Sequence, residues 1–337
     1  LNSIFALFAG KAYAIFALLF GFTFYMQSNN QKKQGKDFGY RFLWRLALLG
    51  VFATWNAAFF PAGDVLLLFV VVGVVLFLTR SWSDRAIGVA AVVLLLQPVE
   101  WYHYIANLIN PAHRLPDLKV AEMYGEVADY TKAGNWRDFL LGNVTLGQKA
   151  SFLWAVNAGR FVQTAGLFLL GFFIGRKQLF MTNEKNIAFG TKVLIISAIS
   201  FAPLYTLKEL VMENDPIVQQ TVGTAFDMWQ KLAFTLVLVA SFILLYQHKN
   251  FSKAVAGLRF YGKMSLTNYI SQSIIGAFIY FPIGLNLTPY CGYTFSLLVG
   301  FLIFLLQLRF CKWWLARHKQ GPLEYIWHKC TWIGTGK

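Results

Sequence analysis

Acidic residues are scarce in this chain. Its 337 residues hold 15 Asp and Glu against 30 Lys and Arg, and charged residues make up only 13% of the whole, about half the share of a soluble domain. So low a charge density excludes an ordinary soluble globular protein and a charge-rich disordered one. Cysteine is as thin: Cys291, Cys311 and Cys330 show neither metal-ligand spacing nor a paired framework, which excludes a zinc-ribbon or disulfide-scaffold fold. No GxSxG elbow, HExxH pair or GxxxxGK[ST] loop occurs. No basic stretch precedes the first apolar run, so no cleavable leader is expected there.

Apolar side chains are abundant, at 57% hydrophobic and 18% aromatic. Apolar runs of the roughly 20 residues that a spanning helix needs recur along the chain. The formal charge of +15 sits in short loops between those runs, which argues topology rather than nucleic-acid binding. We expect an all-α polytopic integral membrane bundle, one transmembrane domain over residues 1–337. Nine spans are read in the visible chain: 12–27, 42–60, one opening at Pro61–Asp64, then 86–104, 152–174, 193–207, 222–246, 260–281 and 293–313. Leu1–Gly10 reads as an interfacial helix. The basic loops put the C-terminus in the cytoplasm of a bacterial inner membrane, and the 107–150 insertion, with two short helices over the spans, outside. The visible N-terminus then lies outside, so a tenth span is expected before Leu1 in the native protein. Residues 314–337 form a cytoplasmic tail in which Gly321 breaks the chain and Pro322 opens a short amphipathic helix.

Polar residues within spans are the candidate site, because ionisable groups at membrane depth are costly unless they work or pair. In FYGKMSLTNYISQSIIGAFIYF (260–281), Asn268, Ser271 and Gln272 share a helix face, either as interhelical glue or as the lining of a site. Asp64, Glu100, Arg160, Asp227 and Lys231 gather in the outer half. The expected arrangement is one outward-facing polar cavity of Asp64, Arg160, Asp227 and Lys231, with Asn268 and Gln272 as its floor. The bland readings stand beside it: Asp64 as a helix cap, Asp227–Lys231 as a local i, i+4 pair, Arg160 as a lipid-phosphate ligand. Asp64 and His103 are the candidate catalytic groups, His103 as a general base or simply an interfacial aromatic-belt residue. No metal site is read.

GKMSLTNYISQSIIG followed by GPLEYIWHKCTW closely resembles the C-terminal domain of the YeiB-like family of bacterial membrane proteins, a domain-of-unknown-function family. The resemblance is strongest over residues 165–337. It continues upstream through GLFLLGFFIGRKQLF (166–180), AGDVLLLF around Asp64 and GKAYAIFALLFGFTF (10–24). It implies a missing first span bearing an Arg–Gly–Phe–Ala run, and a histidine eight residues before Asp64, where this chain has Asn56. The family is also distantly similar to transmembrane acyltransferases, including the heparan glucosaminide acetyltransferase type. The implied function is transfer of an acyl group from cytoplasmic acyl-CoA to a cell-envelope glycan or lipid, with Arg41, Arg45 and Lys263 attracting the donor phosphates. These three also serve as topology determinants. A transporter or lipid-binding protein that meets membrane lipid without chemistry, and a structural subunit of a membrane complex, are the other classes.

Overall fold

The computed structural model describes residues 10–333, so the expected interfacial helix at Leu1–Gly10 lies almost wholly outside the described residues. Every regular element among those residues is helical. They are α1 (Lys11–Lys32), α2 (Gly39–Phe59), α3 (Leu66–Thr79), α4 (Asp84–Leu95), α5 (Pro98–Ile109), α6 (Val120–Lys132), α7 (Trp136–Gly142), α8 (Gln148–Asn157) and α9 (Arg160–Arg176). There follow α10 (Glu184–Met212), α11 (Thr224–Tyr246), α12 (Lys249–Ala254), α13 (Leu258–Lys263), α14 (Ser265–Tyr280), α15 (Tyr293–Leu315) and α16 (Pro322–Thr331). By length and composition, four segments suffice to cross a membrane: α2, α10, Pro216–Tyr246 and α15. The count reaches six if α4 with α5, and Trp136–Asn157 with α9, are each taken as one broken span. The all-α multi-pass class therefore stands, while the described helices carry four to six such spans rather than the nine read from apolar runs. Part of the difference is length: α3 has 14 residues, about 21 Å of helix, short of the hydrocarbon core.

The chain forms two compact units. Unit 1 comprises residues 1–43, 71–118 and 155–252, and unit 2 residues 44–70, 119–154 and 253–337. In unit 1 the closest approach is between α1 and α9. Gly21 and Gly171 face each other's helices, and a Cβ on Gly21 would overlap the Phe168 carbonyl oxygen, as one on Gly171 would overlap that of Leu18. Small residues let backbones meet this way in membrane bundles. Phenylalanines fill the space around the crossing: Phe20 stacks on Phe168 at 4.7 Å between centroids, and Phe24 lies 4.4 Å from Phe42. At one end Asp84 pairs with Arg176 and Lys177, both at 2.8 Å. α10 leaves Ile195, Ile196 and Ile199 more than half exposed, an outer face suited to lipid.

Two runs read as single spans are interrupted within their units. α4 and α5 meet at 50°, with Gln97 between them at φ +59°. Gln97 precedes Pro98, and the proline ring disfavours a helical residue before it. In unit 2 the 260–281 run breaks at Met264 (φ −116°, ψ 33°). The Tyr261 carbonyl freed there accepts the Asn268 side-chain amide at 3.1 Å.

Also in unit 2, α6 and α7 supply the two short helices expected of the insertion. Met123 and Val127 of α6 pack with Ala62 and Ala150. The Tyr124 hydroxyl donates to the Ala62 carbonyl at 3.0 Å, and the Tyr130 hydroxyl to Asn143 Oδ1 at 2.8 Å. Asn143, wholly buried, donates to the Ala58 carbonyl and opens a π-helical turn, Asn143–Gly147. Such turns re-aim side chains at the cost of regular backbone bonding. The tail helix α16 begins with Pro322 at its first turn, as the sequence implies.

Candidate functional site

Unit 1 gathers basic side chains around one carboxylate. Lys231 bonds Asp227 one turn earlier on α11, and Lys208 of α10 approaches the other carboxylate oxygen of Asp227 at 3.6 Å. Lys208 also lies 3.4 Å from Glu209, whose side chain is half exposed. At the start of α1, Lys11 is buried, sits 5.5 Å over the Phe234 ring and feels the charges of Lys231, Asp227 and Lys208. Gly10, at φ +78°, makes room for two of these groups. A Cβ there would stand 3.0 Å from Lys231 Cδ and 3.7 Å from Arg160 Nη2. Arg160, also buried, lays its guanidinium over the Tyr13 ring at 4.5 Å, and the Tyr13 hydroxyl bonds Thr164. Four cations thus converge where Asp227 is the shared counter-charge. Mutual repulsion among them favours an anion from outside the protein.

A second polar feature of unit 1 surrounds the break between α4 and α5. Gln97 is 0% exposed and Glu100 8%. Neither polar atom of the Gln97 side chain, nor Glu100 Oε2, has a hydrogen-bond partner among the described residues. Gly159, the left-handed residue before α9, faces Glu100, and a Cβ there would come within 2.6 Å of Glu100 Oε1. The Leu95 carbonyl freed by the break accepts the Trp229 indole N–H at 2.8 Å. Further along α5, His103 Nδ1 and His113 Nε2 are 3.0 Å apart with their rings stacked.

Unit 2 holds two networks. In the first, the Ser273 hydroxyl donates to Asn56 Oδ1 at 2.7 Å, and Asn56 Nδ2 donates to Asp64 Oδ1 at 2.8 Å. Asp64 Oδ2 accepts the Leu67 backbone N–H at 3.2 Å, capping α3. Burial pushes the Asp64 carboxyl up to about 6 against those bonds. An amide cannot take up a proton, so the Ser273–Asn56–Asp64 chain orients groups without activating the serine. In the second network the polar stripe of α14 is met by its neighbours. Gln272 donates to the Tyr261 hydroxyl at 2.7 Å and to Gln307 Oε1 at 2.9 Å, while Gln307 Nε2 reaches Ser271 Oγ at 2.8 Å. Asn268 also contacts Cys311 Sγ at 3.3 Å.

The two sequence motifs meet in unit 2. Glu324 of α16 accepts the Thr267 backbone N–H at 3.0 Å and the Thr267 hydroxyl at 2.6 Å, and Thr267 Oγ1 in turn accepts the Leu323 N–H at 3.2 Å. Gly321 has no space for a side chain against Glu324 and Met264. Trp327 donates its indole N–H to the Arg45 carbonyl at 3.2 Å, and the Arg45 guanidinium lies 4.0 Å over the Trp327 ring.

The expected cavity members therefore divide. Arg160, Asp227 and Lys231 lie in unit 1, as do His103 and Arg41; Asp64, Asn268 and Gln272 lie in unit 2 with Arg45 and Lys263. Within unit 1, Arg160 and Lys231 both border Gly10. Sequence reading missed Lys11 and Lys208 as members of that cluster, because a lysine beside a span reads as a loop charge. It missed Gln97, although Gln before Pro in an apolar run marks a break. It also missed Ser273, Gln307 and the Glu324–Thr267 bond, for which one sequence offers no signal.

Residues 174–334 match the family described as Protein of unknown function (DUF418). YxaH of Bacillus subtilis, an uncharacterised protein, is 22% identical over 347 aligned positions, which cover 96% of this chain and 79% of the relative. An uncharacterised 39.9 kDa protein in the amylase 3′ region of Bacillus acidopullulyticus is 37% identical across 26% of this chain and 25% of its own length. Uncharacterised YeiB of Escherichia coli is 31% identical across 23% of this chain and 20% of its own length. No solved structure matches the chain. With the GKMSLTNY and GPLEYIW motifs locked together inside the matched region, the chain belongs to the YeiB-like DUF418 family.

Proposed function

We propose that this protein is a multi-pass bacterial inner-membrane protein that binds an anionic, membrane-borne substrate in unit 1 and presents or moves it. It falls in the transporter or lipid-binding class, with a cell-envelope lipid or lipid-linked glycan as the substrate. The observation that carries this reading is the convergence of Lys11, Lys208, Lys231 and Arg160 on the single shared carboxylate of Asp227. Excess positive charge in a partly buried setting is stabilised most by an anion that stays there. The positive-inside reading of the basic loops, nine or ten spans and an external 107–150 insertion belong to the same proposal. Thermal unfolding of the purified full-length protein with phosphatidylglycerol and with phosphatidylcholine tests it. The anionic lipid should stabilise more, and the difference should fall with Lys208→Gln and Lys231→Gln together. Equal stabilisation by both lipids would overturn the reading.

A second reading, acyl transfer from acyl-CoA, is favoured by the His103–His113 pair. A histidine held through one ring nitrogen is the arrangement of an oriented general base. In that reading Arg41, Arg45 and Lys263 receive the donor phosphates. Coenzyme A at 100-fold excess over its Kd would stabilise the protein by about 2.7 kcal/mol. Absence of any shift at millimolar coenzyme A would remove this reading.

A further inference from the structure

Unit 1 has an apolar crevice on the helices that carry the cation cluster. It holds about 200 Å³ and is lined by Leu18 of α1, Leu170 of α9, Phe189 and Gly190 of α10, and Val239 and Ile243 of α11. Asn186 is its one amide-bearing wall residue, and its amide hydrogens already go to the Gln178 and Met181 carbonyls at 3.0 and 2.8 Å. The crevice therefore offers an entering molecule hydrocarbon and almost nothing else.

Its position relative to the cations follows from helix geometry. Lys11 precedes Leu18 by seven residues on α1, about 10 Å of rise, and Lys231 precedes Val239 by eight on α11, about 12 Å. α10 runs the other way, with Lys208 by Asp227 and Phe189 in the crevice wall. Along all three helices the order is the same: charge at one end, then hydrocarbon about two turns away. A soluble anion would use only the first part and a neutral oil only the second. A molecule with an anionic headgroup on a hydrocarbon chain uses both.

We propose that the unit 1 crevice holds an acyl chain of an anionic lipid whose headgroup engages Lys11, Lys208, Lys231 and Arg160. The inference rests on the anionic-substrate reading above and adds the chain-binding half of the site. Gly190 is the gate for testing it. A Cβ there would meet only Leu244 Cδ2, at 3.8 Å, so a larger side chain enters the crevice without displacing backbone, and leucine suits a helix better than glycine does.

The experiment uses the full-length protein in nanodiscs with phosphatidylglycerol or phosphatidylcholine analogues that carry a photoreactive diazirine in one acyl chain. Adducts are mapped by peptide mass spectrometry. The phosphatidylglycerol analogue should label residues 186–193 and 236–243 in excess over α15, and Gly190→Leu should remove that excess while anion-dependent stabilisation persists. Replacing Lys208 and Lys231 with Gln should cut the phosphatidylglycerol preference about fivefold for each lysine. Labelling spread evenly over lipid-facing helices, or unaffected by Gly190→Leu, would overturn the crevice assignment. Crevice labelling equal for both headgroups and indifferent to the lysines would overturn the anionic reading and leave a neutral chain site. Loss of phosphatidylglycerol selectivity in the presence of inorganic phosphate, with no crevice adduct, would show a soluble-anion site and overturn the proposal.

Discussion

The Asn56 side-chain amide donates a 2.8 Å hydrogen bond to the Asp64 carboxylate, and that bond holds a buried acid whose pKa burial raises to about 6. The protonated form is favoured on folding. Its contribution is fully present below the unfolded carboxyl's pKa, near 4, and is lost as pH rises through about 6. Unfolding monitored in detergent between pH 4 and 7 should show stability declining by about 3 kcal/mol across that window, from a shift of about two units. Asp64→Asn should flatten the profile. A variant with the parent's pH dependence would contradict this.

Gly21 and Gly171 should be intolerant of even one added carbon. Gly21→Ala or Gly171→Ala forces a methyl into a facing carbonyl, and overpacking of this kind costs about 1–3 kcal/mol or more. Gly276→Ala, where nothing lies within 4 Å of the added atom, is the matched control and should be neutral or slightly stabilising. Thermal melting of the three variants side by side checks the contrast.

Thr267 and Glu324 should be energetically coupled. The glutamate receives both the backbone N–H and the hydroxyl of Thr267, and bonds to a charged acceptor contribute about 1.5–3 kcal/mol each in a protected setting. A double-mutant cycle with Thr267→Ala and Glu324→Gln should give a coupling above about 0.5 kcal/mol. Glu324→Ala should also make α16 the first site of proteolytic nicking. Strictly additive effects would argue against the tie.

Gln97 should be replaceable to advantage. Its amide is fully buried without a partner among the described residues, and an unmet buried polar group costs about 1–3 kcal/mol. Gln97→Leu keeps a similar volume and should raise the melting temperature. A lowered melting temperature would instead mark the amide as the seat of a bound polar molecule.

The parts visible in the sequence were those written in local spacing. Asp227 and Lys231 stand one turn apart, and they pair. Pro322 after Gly321 announced the start of α16. Asp64 before an apolar run announced a cap, and it bonds Leu67. The rest depends on residues far apart in the chain. Ser273 and Asn56 are separated by 217 positions, and Lys11 meets Lys231 only once α1 and α11 are packed. The helix breaks were hidden for another reason. Hydropathy sums over a window, so a single left-handed residue such as Gln97 or Gly159 leaves an apolar run looking continuous. Dividing the polar residues between two units required the fold itself, since composition assigns them all to one bundle.

The Glu324–Thr267 bond spans 57 residues, and synthesis runs in one direction. When α14 emerges, the Thr267 amide at its first turn is one of the helix's unmet donors, and its acceptor does not yet exist. α15 must be made and threaded before Glu324 arrives. The first turn of α14, and with it the Tyr261–Asn268 junction, is therefore completed by one of the last helices translated. A ribosome that stops after α15 leaves a chain with its spans in place and that turn open to water or proteases, so α16 serves the protein as a mark of finished synthesis.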